Sequence, residues 1–357
     1  MPALHLYAGQ KARQHLQQNG LQPQHVRLIA GAAGGPKGLV LGALDRFIFG
    51  SWLAQSTQTV DLIGASIGAW RMAAACLNQP VAAFEQLEHD YIHQQYDTLP
   101  GRRSPTAKHV SERFGAAIGA FFAGRVGEVL DHPRYRLHLV TTRGRHILSK
   151  ETQPRLIAGY LGAILANSLR RRLMGYWLER VVFSSRGTAL PFIADDYPTR
   201  SLVLNAANFC QVMRASCAIP FVLKAICDIP GAPAGAYFDG GITDYHLHLN
   251  YNTGDSGIVL YPHFQKALVP GWLDKPLRWR HHATQFLDNV LVLAPDPAWV
   301  DKLPNGKLPD RSDFARYGKD LAARHKAWRS AVQAGAQLQE EFAQWLEKPD
   351  MARIEPL

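Results

Sequence analysis

Two apolar runs, each followed by a glycine-punctuated turn and a helical stretch, fill the first eighty residues. This alternation limits the fold more than any other feature. Residues 26–30, VRLIA, end in the glycine-rich stretch GAAGGPKG at 31–38. There follows LVLGALDRFIFGSWL, whose Leu39, Leu41, Leu44, Ile48 and Leu53 suit a helix packed on a sheet. A second apolar run, VDLIGAS at 60–66, leads into the Ala-rich SIGAWRMAAACLN, a predicted helix ending near Asn78 and Pro80. Strand, glycine loop, helix, strand, tight turn and helix in this order predict a parallel sheet with covering helices.

The pattern continues downstream. Residues 81–130 read as helical, interrupted by a loop, TLPGRRSPT. YRLHLVTTRG at 135–144 alternates as a strand does, and RLIAGYLGAILANSLRRRL at 155–173 reads as a buried or surface-docking helix with a basic end. VVFSS (181–185), LVLN (202–205), IVLYP (258–262) and NVLVLAP (289–295) are strand candidates, and NFCQVMRASC (208–217) is a helix that Pro220 ends. From Arg311 to Lys348 the apolar residues fall near helical spacing. Without a repeat, a low-complexity block or a clear linker, the chain reads as one domain over 1–357, with a C-terminal helical extension at about 311–348.

A hydrophobic fraction of 47% in 357 residues supports a sizeable core, and 19% charged residues exclude a disordered polyelectrolyte. The formal net charge of +10 suits anionic partners without choosing among them. Four cysteines without a C-x-x-C pair read as free thiols in a reducing compartment. With no signal-peptide-like start and no apolar run of about 18 residues, the expectation is a soluble cytoplasmic protein, peripheral to a membrane at most.

Chemistry enters at Gly64-Ala65-Ser66-Ile67-Gly68. A serine between two glycines, with a strand before and a helix after, is either a compact turn or a nucleophile held on a strained elbow at a helix N-terminus. A serine nucleophile needs a base and donors for an oxyanion. Gly31, Gly34, Gly35 and Gly38 can build an anion nest after the first strand. A phosphate-binding G-K-[ST] ending fails because Gly38 follows Lys37, and a G-x-G-x-x-G fingerprint is missing. Gly34 and Gly35 can donate N–H groups to an oxyanion, Pro36 cannot, and Ile67 adds a donor just after the serine. Asp239, in YFDGGITD, follows an apolar pair and precedes Gly240 and Gly241, at a predicted strand end. A partly desolvated carboxylate there could take the serine proton, whereas an Asp-Gly turn is the plainer reading.

Together, AGGPKG (33–38), GASIG (64–68), ASCAIP (215–220) and DGG (239–241) stand in an order that resembles the patatin-like phospholipase family. The motifs span about residues 26–250. The resemblance implies a three-layer α/β/α fold with a mainly parallel sheet and a Ser-Asp dyad rather than a triad. By it, Ser66 is the nucleophile, Asp239 the base, and Gly34, Gly35 and Ile67 the oxyanion donors. Lys37, Gly38, Gly64, Gly68, Gly240 and Gly241 are supporting positions. It further implies acyl-ester hydrolysis of lipid or phospholipid with no metal or cofactor. The chain departs from the pattern at Ala33, at Pro36 and after D-G-G, where ITDYHLH replaces a run ending in Asn-x-Pro.

Three rivals remain open at this level. One is an acyltransferase on the same elbow. Another is a Ser-His-acid esterase using a downstream histidine such as His246, His248, His263, His281, His282 or His325. The third is a catalytically silent module that associates with membranes. PGWLDKPLRWRHH (270–282) and the basic start of the C-terminal helical stretch, with Arg311, Arg316, Lys319, Arg324, Lys326 and Arg329, suit contact with an anionic membrane surface or an ordinary solvated face. Nucleic acid is not expected, because no recognition motif accompanies these residues.

Overall fold

The computed structural model describes residues 2–96, 105–254 and 257–357. Most of the predicted TLPGRRSPT loop lies outside the described residues. The fold is α/β, with a mixed, mostly parallel central sheet and about twelve helices among the described residues. In chain order the strands are β1 (Leu4–Ala8), β2 (Val26–Gly31), β3 (Val60–Gly64), β4 (Tyr135–Gly144), β5 (Leu178–Ser185) and β6 (Thr199–Leu204). They continue with β7 (Ile226–Cys227), β8 (Ala236–Asp239), β9 (Ile258–Pro262), β10 (Val290–Pro295) and β11 (Ile354–Pro356).

Across the sheet the order is β11-β1-β10-β9-β2-β3-β4-β5-β6. The five strands from β10 to β4 are all parallel. Every residue of β2, β9 and β10 is buried, which requires cover on both faces and explains their unbroken apolar runs. Edge strand β6 is largely exposed, and its alternation is correspondingly weak. The architecture is thus compatible with three α/β/α layers.

Several sequence expectations need adjusting. The stretch after β2 is helical throughout but changes type, from 3-10 (Gly35–Leu41) to α (Gly42–Phe47) to π (Ile48–Trp52). The C-terminal stretch is three helices, Ser312–Tyr317, Leu321–Ala334 and Ala336–Glu347, broken at Gly318 (φ 52°) and turned again at Gly335. They pack on the rest of the molecule: the largest buried cluster runs from Ala3 to Trp345. β1 and β11 went unread, because each is short and pairs only with distant partners, Leu6 lying opposite both Leu293 and Ile354. Arg324, expected on a charged surface, is buried, with its guanidinium 4.6 Å from the Phe314 ring centre.

The Gln153–Leu169 helix buries Leu156, Tyr160 and Ala163 and turns Ile157, Leu161, Leu165 and Leu169 outward. No helix among the described residues is long and apolar enough to cross a membrane.

Candidate active site

Strand β4 brings the two reactive side chains together. β3 runs parallel to it and stops with Gly64 opposite Leu139. β8 arrives from the other direction and stops with Asp239 opposite Thr141. β5 occupies the other edge of β4 over 138–144, so β3 and β8 share one edge, end to end. Ser66, just past β3, and Asp239, the last residue of β8, therefore meet across a short gap. The Ser66 hydroxyl comes near enough to the Asp239 carboxylate and to the Cys217 thiol to influence the ionisation of each.

The turn at Ser66 is strained. Its φ of 57° and ψ of −127° put a non-glycine residue in a sparsely populated region, immediately before the Ile67–Ala75 helix. Neighbouring contacts hold it there. The Ser66 N–H donates to the Ser216 carbonyl and to Ser216 Oγ, both at 3.1 Å, and Ser216 Oγ donates to the Val140 carbonyl at 2.7 Å. Two residues further along the same ASCAIP motif, Ala218 O accepts the Asp239 N–H at 2.9 Å. This motif thus clamps both members of the pair.

The glycines flanking the serine are there for space. A Cβ on Gly64 would lie 2.5 Å from Gly68 O, and one on Gly240 would lie 2.2 Å from Val140 O. Gly241 donates its N–H to Asp239 Oδ1 at 2.7 Å, and a Cβ there would strike Ala33. Gly38 differs: a Cβ would find only ordinary contact with Ile67 at 3.5 Å. In the loop after β2, Ala33 N–H is held by Tyr245 O at 3.0 Å, and Gly35 has a φ of 58°. Among the described residues, the N–H groups of Gly34, Gly35 and Ile67 take no hydrogen-bond partner. Buried backbone donors such as those of Gly35 and Ile67 are rarely left so, and Gly34 shares a cavity wall with Ser66.

Ser66 and Asp239 are both 5% exposed and open on a cavity of about 290 Å³. Gly34, Lys37 and Gly241 share its wall, whereas Gly35, Gly38 and Ile67 do not. Lys37, read from the sequence as a supporting position, thus faces the cavity. Its ammonium lies over the Phe264 ring, 5.4 Å from the centre, and partial burial lowers its pKa. Burial pushes the Asp239 pKa up. The Ser66 hydroxyl, the Arg311 guanidinium, the Gly241 N–H and the Lys275 ammonium pull against that rise, and burial prevails.

Tyr245, Trp272, Lys275 and Arg311 also line the cavity and were not read as site residues. Tyr245 follows D-G-G by sequence, a usable signal. Lys275 and Arg311 lay inside stretches read as basic surface, and nothing local separates them from their solvated neighbours. Among the described residues, no histidine is in the cavity wall. Burial pushes the His246 pKa well below its ordinary value, and its Nδ1 lies 3.0 Å from the Val269 backbone nitrogen. Behind D-G-G, Asp244 is buried against Arg180, at 2.8 and 2.6 Å, and the Tyr197 hydroxyl at 2.9 Å. Among the described residues no group of three or more His, Cys, Asp or Glu side chains is placed to hold a metal ion.

No protein-family model matches the chain, and no curated protein sequence matches it.

Proposed function

We propose that this chain is a serine acyl hydrolase of the patatin-like type, with the corresponding α/β/α fold, acting on acyl esters through a Ser66-Asp239 dyad. The observation that carries this reading is that Ser66 and Asp239 face one cavity, the serine on a strained elbow beside backbone donors without partners. Asp239 takes the proton as Ser66 Oγ attacks the ester carbonyl. The developing oxyanion is received by N–H groups of Gly34, Gly35 and Ile67. As the tetrahedral intermediate collapses, the alkoxide leaves with the proton from Asp239, and an acyl-Ser66 ester remains. A water then gives a proton to Asp239 and attacks this ester, releasing the acid and restoring the serine. The cycle calls for no metal or organic cofactor. A histidine-assisted version has little support, since among the described residues no histidine is in the cavity wall.

The test is hydrolysis of p-nitrophenyl butyrate and of phospholipid by wild type, Ser66→Ala and Asp239→Asn, with folding checked by circular dichroism. Loss of about 10³-fold or more in both folded variants is expected. Full activity in Asp239→Asn would overturn the dyad. An inactive wild type across ester classes would favour a binding module.

A further inference from the structure

The cavity wall carries more positive charge than the dyad needs. Lys37, Lys275 and Arg311 all line it, from three separate parts of the chain. None of the three makes an ion pair among the described residues. Lys275 holds its ammonium 4.0 Å from the Tyr245 ring centre, and Lys37 rests over Phe264. The Arg311 guanidinium lies beside the oxyanion loop, within 3.4–3.6 Å of where a Gly35 Cβ would be. Two carboxylates share the wall. Asp239 accepts the Gly241 N–H, and Arg311 and Lys275 act on it without forming an ion pair. Asp310 is already bound by Lys307 at 2.8 Å and by Ser312 Oγ at 2.6 Å. Like charges gathered in a partly enclosed space repel one another, and such an arrangement persists more readily where an anion joins it.

We propose that Lys37, Lys275 and Arg311 form a subsite for an anionic group, phosphate or carboxylate, carried by the ester that Ser66 attacks. The inference rests on the acyl-hydrolase reading and narrows its substrate class. A volume of about 290 Å³ is at the small end of ligand pockets, so the ester is compact. The uncharged wall residues Ile219, Pro220 and Ile242 leave an apolar side for a short acyl chain. Arg311 offers a planar fork suited to two anionic oxygens, and the two lysines add point charges.

The experiment compares kcat/KM for butyryl glycerol phosphate and uncharged butyryl glycerol, and for vesicles of phosphatidate and of phosphatidylcholine. Wild type is expected to prefer the anionic member of at least one pair by about tenfold or more. Preference in the soluble pair identifies a free anionic ester, and preference only in vesicles identifies a lipid headgroup. Arg311→Gln and Lys275→Gln should each lower that preference several-fold. Equal losses on charged and uncharged esters would overturn the subsite, because they would mean that these cations serve Asp239 alone. Calorimetric titration of Ser66→Ala with glycerol 3-phosphate separates this inference from the hydrolase reading. Binding that Arg311→Gln weakens about tenfold upholds the subsite even if no ester is cleaved, and absence of binding overturns it.

Discussion

Gly68 packs against Gly31 so tightly that a Cβ on Gly68 would lie 1.8 Å from the Gly31 carbonyl oxygen. The first turn of the helix behind Ser66 therefore rests directly on the backbone at the end of β2. Gly68→Ala must push that helix away from the sheet. It should destabilise the protein by about 3 kcal/mol or more in urea unfolding and abolish esterase activity. Gly38→Ala, in the neighbouring glycine motif, meets only ordinary contacts and should change stability by less than about 1 kcal/mol.

Ser216 supplies the contact that holds the strained serine. Ser216→Ala removes an acceptor from the Ser66 N–H and a donor from the Val140 carbonyl. The expected cost is about 1–3 kcal/mol, measured by denaturant titration. Because the elbow loosens, kcat should fall more than KM rises. An unchanged kcat would show that the backbone bond to Ser216 O suffices.

Asp239 sets the pH dependence. Its pKa is raised in the folded protein, chiefly by burial, so its charged form is disfavoured there. Activity should rise with pH through a value above the ordinary 3.8, as the base loses its proton. For stability the sign is opposite. The protonated carboxyl favours the fold at low pH, and that advantage is lost as pH rises through the folded pKa. Folded Asp239→Asn should therefore be inactive yet at least as thermostable as wild type at pH 7.5, and the gap should close as pH falls towards 4. Thermal melts across this range check both statements.

Removing Asp244 takes two of the four carboxylate hydrogen bonds from a buried cation. Arg180 is fully buried and divides its guanidinium between Asp244 and Asp196. Asp244→Ala should cost about 3–5 kcal/mol in urea unfolding, because the arginine cannot reach water. Activity should fall with it, since Asp244 follows the D-G-G turn by only three positions.

Much of this site could be read in the sequence because its parts are local. Gly64-Ala65-Ser66-Ile67-Gly68 encodes an elbow by itself, and the buried runs of β2, β3, β9 and β10 announce a sheet covered on both faces. Lys275 and Arg311 could not be separated from surface charge, because their role depends on where the chain returns after D-G-G. The same holds for β1 and β11, which acquire strand character only from each other and from β10. Arg324 was misjudged for the converse reason: its periodicity fits a solvated face, and only the packed Phe314 and Trp328 rings show otherwise.

Strand β4 works as a ruler for the pair. The spacing between Ser66 and Asp239 is metered by Leu139 and Thr141, two marks on one rigid edge, and not by the ninety-odd residues of chain that separate β4 from β8. Outside the ASCAIP clamp, loops in that interval can lengthen, shorten or exchange while the spacing of the two side chains stays the same. Insertions there can therefore remodel the surroundings of the pair, with its own geometry carried unchanged from one variant to the next.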